Sequence, residues 1–178
     1  MEKTRSIDFA KITLRDALDL AILVEEEAKD RYEEFAHSLK IHRNPTAAGF
    51  FEFMLKIEGL HENLLADRRK ELFGDQPRTV QREMIFDIEA PEYHEVRAKM
   101  THRQALEVAL EAEKKAFAFF DEAVKHVKDP EVLKLFNELR DEEREHAGLV
   151  EKEIAKLPPG SPATPPDDDD DEDGPVAL

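Results

Sequence analysis

Hydrophobic residues recur at steps of three and four in four separate stretches of the chain, which is the spacing of one face of an α-helix. The stretches follow the capping residues Thr13, Asn44, Thr101 and Asp129. The third stripe continues through Val124 and Val127, and we expect helices of about 27 residues, or roughly 40 Å. The pattern therefore predicts an all-α four-helix bundle.

Two regions break this pattern. Residues 74–100 contain Pro77 and Pro91 and predict a long crossover with one or two short helices. From residue 158 the composition changes to Pro, Ser and Gly and then to acidic residues, which cannot bury a core. We therefore expect a bundle domain over residues 1–157 and a disordered, Pro-rich and acidic tail over 158–178.

The charge distribution narrows the choice of partners. The net charge is −16, and without the seven acidic residues of 167–173 the chain still carries nine net negative charges. This balance argues against nucleic-acid binding and favours attraction of cations. No apolar run reaches the length of a membrane span, and no signal-type apolar core follows the N-terminus. We expect a cytoplasmic protein with no membrane partner.

Acidic residues also occur inside the apolar stripes. Glu143 and His146 continue the stripe of the fourth stretch, whereas Glu142 and Glu145 lie off it and can be solvated. A carboxylate in an apolar stripe is costly unless a partner meets it. With 26 Glu and 7 His in 178 residues, chance supplies about one Glu-x-x-His pair, and three occur: Glu34/His37, Glu58/His61 and Glu143/His146. The context of each pair decides its meaning.

An internal duplication selects among the three pairs. An offset of 88 residues aligns the first and third stretches and pairs Glu25 with Glu113, and an offset of 85 aligns the second and fourth. The aligned positions of the second and fourth stretches are Phe51, Met54, Glu58 and His61 with Phe136, Leu139, Glu143 and His146. The chain is thus predicted to be two copies of a helical hairpin.

Two such hairpins around a pseudo-two-fold axis would bring six metal ligands together. They are Glu25, Glu58, His61, Glu113, Glu143 and His146. The set suits two metal ions, each with one His and one terminal Glu, and with the other two Glu, Glu143 among them, bridging. Glu34 lies half a turn around the helix from Glu25, so Glu34 and His37 should face outward. The alternative, a polar core in which each His bonds a nearby Glu, leaves four glutamates in register unexplained.

The absence of cysteine limits the choice of metal. Carboxylates and imidazoles suit iron, manganese or zinc better than copper(I) or an iron–sulfur cluster. Disulfides, thiolate metal sites and a cysteine nucleophile are excluded.

Taken together, these residues resemble the rubrerythrin branch of the ferritin-like superfamily. The resemblance covers about residues 13–157 and rests on the motifs Glu25-x-x-Ala28-x-x-x-Tyr32, Glu58-x-x-His61, Glu113-x-x-Ala116 and Glu143-x-x-His146. It implies a ferritin-like fold and a site of two iron ions that reacts with dioxygen or peroxide. It also makes Tyr32 the candidate catalytic side chain, beside the metals as a hydrogen-bond partner of a ligand.

The chain departs from the family pattern in two places. It has no cysteine and so no rubredoxin domain to deliver electrons, and Ala116 stands where an extra Glu often follows the third-helix ligand. We therefore expect ferroxidase or peroxidase chemistry with an external electron donor. The alternatives are a non-catalytic metal-binding or iron-handling bundle and a purely structural bundle. A homo-oligomer is also expected, with a dimer as the first candidate, because a long crossover permits exchange of a hairpin between chains.

Overall fold

Four long helices form the protein in the computed structural model, which describes residues 7–84 and 100–158. They are α1 (Leu14–Ile41), α2 (Pro45–Phe73), α3 (His102–Ala123) and α4 (Pro130–Lys156), and a short 3-10 helix (Arg82–Met84) follows α2. α1 packs along α2 and α3 along α4, and the two hairpins meet where α2 contacts α3 and α1 contacts α4. The predicted all-α bundle of two hairpins is confirmed.

Helices α1 and α3 begin with the same capping motif. Thr13 accepts a hydrogen bond from the backbone of Asp16, whose side chain accepts one from the Thr13 backbone in return. Thr101 and Gln104 form the equivalent capping box on α3. Each box satisfies backbone N–H groups that the first helical turn leaves without partners. The first residues of both helices were therefore readable from sequence.

Helices α2 and α4 begin with a proline after a capping side chain. Asn44 accepts a hydrogen bond from Ala47, and Asp129 accepts bonds from Glu131 and Val132. α2 ends at Gly74, which has a φ of 61°. That left-handed conformation costs glycine little and most other residues more, so the expected stop at Gly74 is confirmed.

Helix α3 is shorter than predicted. It has 22 residues, against 28, 29 and 27 in α1, α2 and α4. After Ala123 the backbone tightens into turns, in which Lys125 bonds the carbonyl of Glu122 and His126 that of Ala123. Val124 and Val127 still pack against the core from these turns. The expectation that the helix continues through Val127 was wrong, because partly buried valines can pack against the core from a tight turn as well as from a helix.

The core consists of two apolar clusters separated along the bundle axis. The first includes Leu18, Phe120 and Phe136, and the second includes Tyr32 and Phe51. On every helix the sequence passes from one cluster to the other through the predicted ligands: α1 at Glu25, α2 at Glu58 and His61, α3 at Glu113, and α4 at Glu143 and His146. A polar layer therefore lies between two apolar clusters at mid-height.

Several predicted regions lie beyond what the structure describes. The crossover over residues 85–99 and all of the predicted tail except Pro158 fall outside the described residues. Within the described ranges, none of the helices combines the length and the apolar character that crossing a lipid bilayer requires.

Candidate metal centre

The polar layer at mid-height contains all six predicted ligands. Five are buried, with exposed fractions of 5% or less: Glu25, Glu58, Glu113, Glu143 and His146. His61 is partly exposed. The helical register explains the convergence, because each of these residues continues the apolar stripe that its helix turns toward the core.

His146 lies at the centre of the layer. Its Nδ1 atom is 3.2 Å from Oε2 of Glu113 and 3.9 Å from both Oε1 of Glu58 and Oε2 of Glu143. These carboxylates belong to three different helices. The layer therefore brings carboxylate oxygens from α2, α3 and α4 around one imidazole nitrogen.

The two histidines are neighbours. Their rings are stacked, with centroids 4.9 Å apart and an angle of 18° between the planes. Two overlapping groups of atoms could hold a metal ion, one from Glu58, His61 and His146 and one from Glu113, Glu143 and His146, each within 4.8 Å. Glu25 belongs to neither group, but the interaction of its side chain with Glu58 acts to lower the pKa of Glu58.

The crowding of buried carboxylates in the layer raises the pKa of one of them. Burial, together with the charge of Glu113, raises the pKa of Glu58 to about 7. A carboxyl group whose pKa is near 7 is about half protonated at pH 7. Without a cation the layer therefore retains a proton near neutral pH.

The two histidines respond in opposite directions. Burial and the charge of His146 lower the pKa of His61. Burial also acts to lower the pKa of His146, but the neighbouring carboxylates of Glu113 and Glu58 outweigh it and raise that pKa. The pair thus differs in charge preference although the duplication makes the two positions equivalent.

Tyr32 contacts the layer from α1. Its buried hydroxyl donates a hydrogen bond to Oε1 of Glu113 over 3.0 Å. This bond leaves Oε2 of Glu113 directed toward His146. Tyr32 thus contacts one of the six predicted ligands, and its catalytic role stays a prediction.

The donor atoms fit a metal ion. Oε1 of Glu58 and Nδ1 of His61 are buried and have no hydrogen-bond partner among residues 7–84 and 100–158. An orphaned buried polar atom costs about 1–3 kcal/mol, so such atoms are normally paired. Carboxylate oxygen and imidazole nitrogen are ligands that iron, manganese and zinc accept.

The remaining acidic residues lie where the register places them, with one exception. Glu34 and His37 are exposed, as expected. Glu145 is also exposed, but Glu142 is half-buried beside His61, and burial raises its pKa. Sequence reasoning treated Glu142 as a solvated residue and did not consider Arg68 or Glu138, which lie at the same opening. The two glutamates could have been found by comparing the repeats at positions other than the ligands. The second repeat has Glu138 and Glu142 where the first has Phe53 and Ile57.

A helical bundle with a buried layer of carboxylates and imidazoles defines the class of ferritin-like metal-binding proteins. The family model for rubrerythrin matches residues 16–154, and the chain therefore belongs to the rubrerythrin family. The given sequence contains no cysteine.

One solved structure is similar over nearly its full length. It is an uncharacterized conserved protein from Magnetospirillum magnetotacticum MS-1, with 29% identity and a TM-score of 0.64. The match covers 85% of this chain and 99% of that one. No curated protein matches the chain. Together with the bundle described above, this neighbour supports the predicted ferritin-like architecture.

Proposed function

We propose that this protein binds two iron ions in the polar layer and uses them to react with dioxygen or peroxide, taking electrons from an external donor. The observation that carries the proposal is the set of buried carboxylates meeting in the layer, two of whose donor atoms, on Glu58 and His61, lack a hydrogen-bond partner within the described part of the chain. The family supports the choice of iron.

Charge balance supports the number of ions. The four glutamates carry four negative charges when fully ionised, and two divalent cations carry four positive charges. A buried carboxylate without a counter-charge is strongly disfavoured, as the raised pKa of Glu58 shows. Two ions would therefore replace the retained proton and neutralise the layer.

Each repeat contributes one Glu-x-x-His pair to the proposed site. Glu58 with His61 and Glu143 with His146 would hold the ions, and Glu25 and Glu113 would complete the set. Iron, when bound, would supply the redox couple and the polarisation of the O–O bond. Tyr32 orients Glu113 through its hydrogen bond, and the two apolar clusters border the layer along the bundle axis.

Anaerobic loading followed by oxidant tests the proposal. Metal-free protein is titrated with Fe(II), oxygen or peroxide is added, and ferric absorbance is followed. We expect two irons per chain and rapid oxidation, and a loss of both in Glu58→Ala and Glu143→Ala. Glu34→Ala is the matched control, because Glu34 begins the third Glu-x-x-His pair and is exposed.

The outcomes separate the alternatives. Two irons bound without oxidation would reject the enzymatic proposal in favour of a non-catalytic metal-binding bundle. Absence of metal binding would reject both and leave a structural bundle.

A further inference from the structure

The two halves of the polar layer differ in their access to solvent. His146 is 5% exposed, whereas His61 is partly exposed at the wall of a cavity of about 120 Å³ between α2 and α4. This α2/α4 cavity is lined by His61, Leu64 and Arg68 of α2 and by Glu138, Leu139 and Glu142 of α4, among others. It has room for several water molecules.

The duplication provides an internal comparison for this cavity. The offset of 85 residues relates Leu135, Glu138, Leu139 and Glu142 to Phe50, Phe53, Met54 and Ile57. On the side of His146, Phe50 and Met54 are buried in one apolar cluster with Val150, and Ile57 packs against it. The four positions of the first repeat are therefore all apolar, with Phe50 and Met54 buried, Ile57 partly buried and Phe53 at 47% exposure.

Two glutamates account for the difference in polarity. Glu138 and Glu142 stand where the first repeat has Phe53 and Ile57. Glu138 lies at the mouth, where Arg68 of α2 bonds it over 2.9 Å and Lys134 approaches within 3.9 Å from the outer surface. Glu142 is half-buried beside His61 and forms no ion pair with the residues that the structure describes. One side chain across the mouth is therefore cationic, and the interior wall is anionic.

We infer that the α2/α4 cavity is the port through which divalent cations reach the polar layer, with Glu142 as an intermediate contact and the Arg68–Glu138 ion pair closing the mouth. The inference rests on the metal centre proposed above. Carboxylates lining a cleft with low-dielectric walls raise the local concentration of cations and speed their association. The apolar counterpart near His146 offers a hydrated ion no ligands in exchange for its water.

Stopped-flow binding of Co(II) to the metal-free full-length chain tests the port without any redox turnover. The visible absorption of bound Co(II) reports the association rate, and equilibrium titration reports the affinity. Glu142→Gln is expected to slow association about three- to tenfold and to weaken its dependence on ionic strength, with a much smaller change in affinity. Arg68→Gln is expected to accelerate association, because it removes the cation at the mouth.

Glu151→Gln is the matched control. Glu151 is exposed on the same helix but lies nine residues from Glu142, half a turn around α4, and its loss should leave the rate unchanged. The double variant Glu138→Phe/Glu142→Ile introduces the apolar residues of the first repeat and should slow association further.

Unchanged association rates in Glu142→Gln and Arg68→Gln, with normal Co(II) affinity, would overturn the port and leave the proposed function intact. Failure of the wild-type chain to bind Co(II) would overturn both.

Discussion

The α1–α2 and α3–α4 hairpins carry the same ligand types at the same helical positions. They differ in the contacts that join their two helices away from the ligands. Asp19 of α1 is completely buried, whereas its counterpart Glu107 of α3 is exposed. Asp19 bonds Arg69 of α2, and the position of α4 equivalent to Arg69 is Ile154, which packs against the apolar core. The fold thus tolerates either a buried ion pair or an apolar contact at this place.

The ion pair of the first hairpin also binds the backbone at the start of the crossover. Asp19 accepts a hydrogen bond from the backbone N–H of Thr79 over 2.8 Å, and Arg69 donates one to the carbonyl of Gln76 over 2.9 Å. Both partners belong to the start of the crossover. A buried pair costs desolvation energy that a hydrophobic contact does not, so its presence is explained by these added bonds. The comparison teaches that the repeats share the ligands and diverge where the connecting chain is anchored.

Among the changes that test this difference between the hairpins, removing one partner of the buried pair should have the largest effect on stability. Asp19→Ala leaves the Arg69 guanidinium without its counter-charge and is expected to lower the free energy of unfolding by about 3–5 kcal/mol. Glu107→Ala removes an exposed carboxylate at the equivalent position and should change it by less than about 0.5 kcal/mol. Urea denaturation of both variants measures the difference, and equal effects would contradict an anchoring role.

The two hairpins share the charged layer, and its effect can be tested through the pH dependence of the stability of the metal-free protein. The folded pKa of Glu58 is about 7, above the ordinary 4.5, so its stabilising contribution is complete below pH 4.5 and is lost as pH rises through 7. At about 1.4 kcal/mol per pKa unit, wild type should lose roughly 3 kcal/mol more than Glu58→Gln over this range. Denaturation curves at several pH values test this, and parallel pH profiles would refute it. A bound divalent metal should reverse the trend.

Tyr32→Phe makes the two hairpins more alike, because the counterpart of Tyr32 at the offset of 88 is Phe120. The change removes the hydroxyl that bonds Glu113 while leaving the ring to pack against Phe51. Outer bonds to metal ligands typically contribute 10- to 100-fold in affinity, and we expect Co(II) binding to weaken by about tenfold. Equilibrium titration measures the affinity, and far-ultraviolet circular dichroism checks the fold. Unchanged affinity would show that the hydroxyl is a packing feature only.

The smallest expected effect is the difference between the two histidines. In metal-free protein, His146 should titrate above pH 6.5 and His61 below it. His146 therefore contributes stability below pH 6.5 that is lost as pH rises through its folded pKa, and His61 contributes stability above pH 6.5 that is lost as pH falls through its own. Imidazole NMR signals, assigned with His61→Gln, report both titrations. Coincident midpoints would contradict the asymmetry.

The sequence was most informative where local rules and the duplication agreed. Thr13 and Thr101 predict the N-terminal caps that the structure shows. The positions of Glu58 and Glu143 on the apolar stripes follow from helical spacing alone. It was least informative at Asp19. Asp19 lies off the first apolar stripe, so helical spacing does not predict its burial, and its partner Arg69 lies 50 residues away and off the predicted ligand pattern.

Helical periodicity and the two offsets determined which residues turn toward the core, because side-chain direction in a helix depends only on position along the chain. The four glutamates, the two histidines and the four-helix bundle followed from that information, and the ferritin-like assignment followed from the family resemblance. The tertiary structure decided the rest: which donor atoms approach one another, that His61 is partly exposed while His146 is buried, and that Arg68 pairs with Glu138 at a cavity that Glu142 also lines. These features depend on distances between side chains of different helices, and such distances are set by how the hairpins pack, which no local pattern encodes.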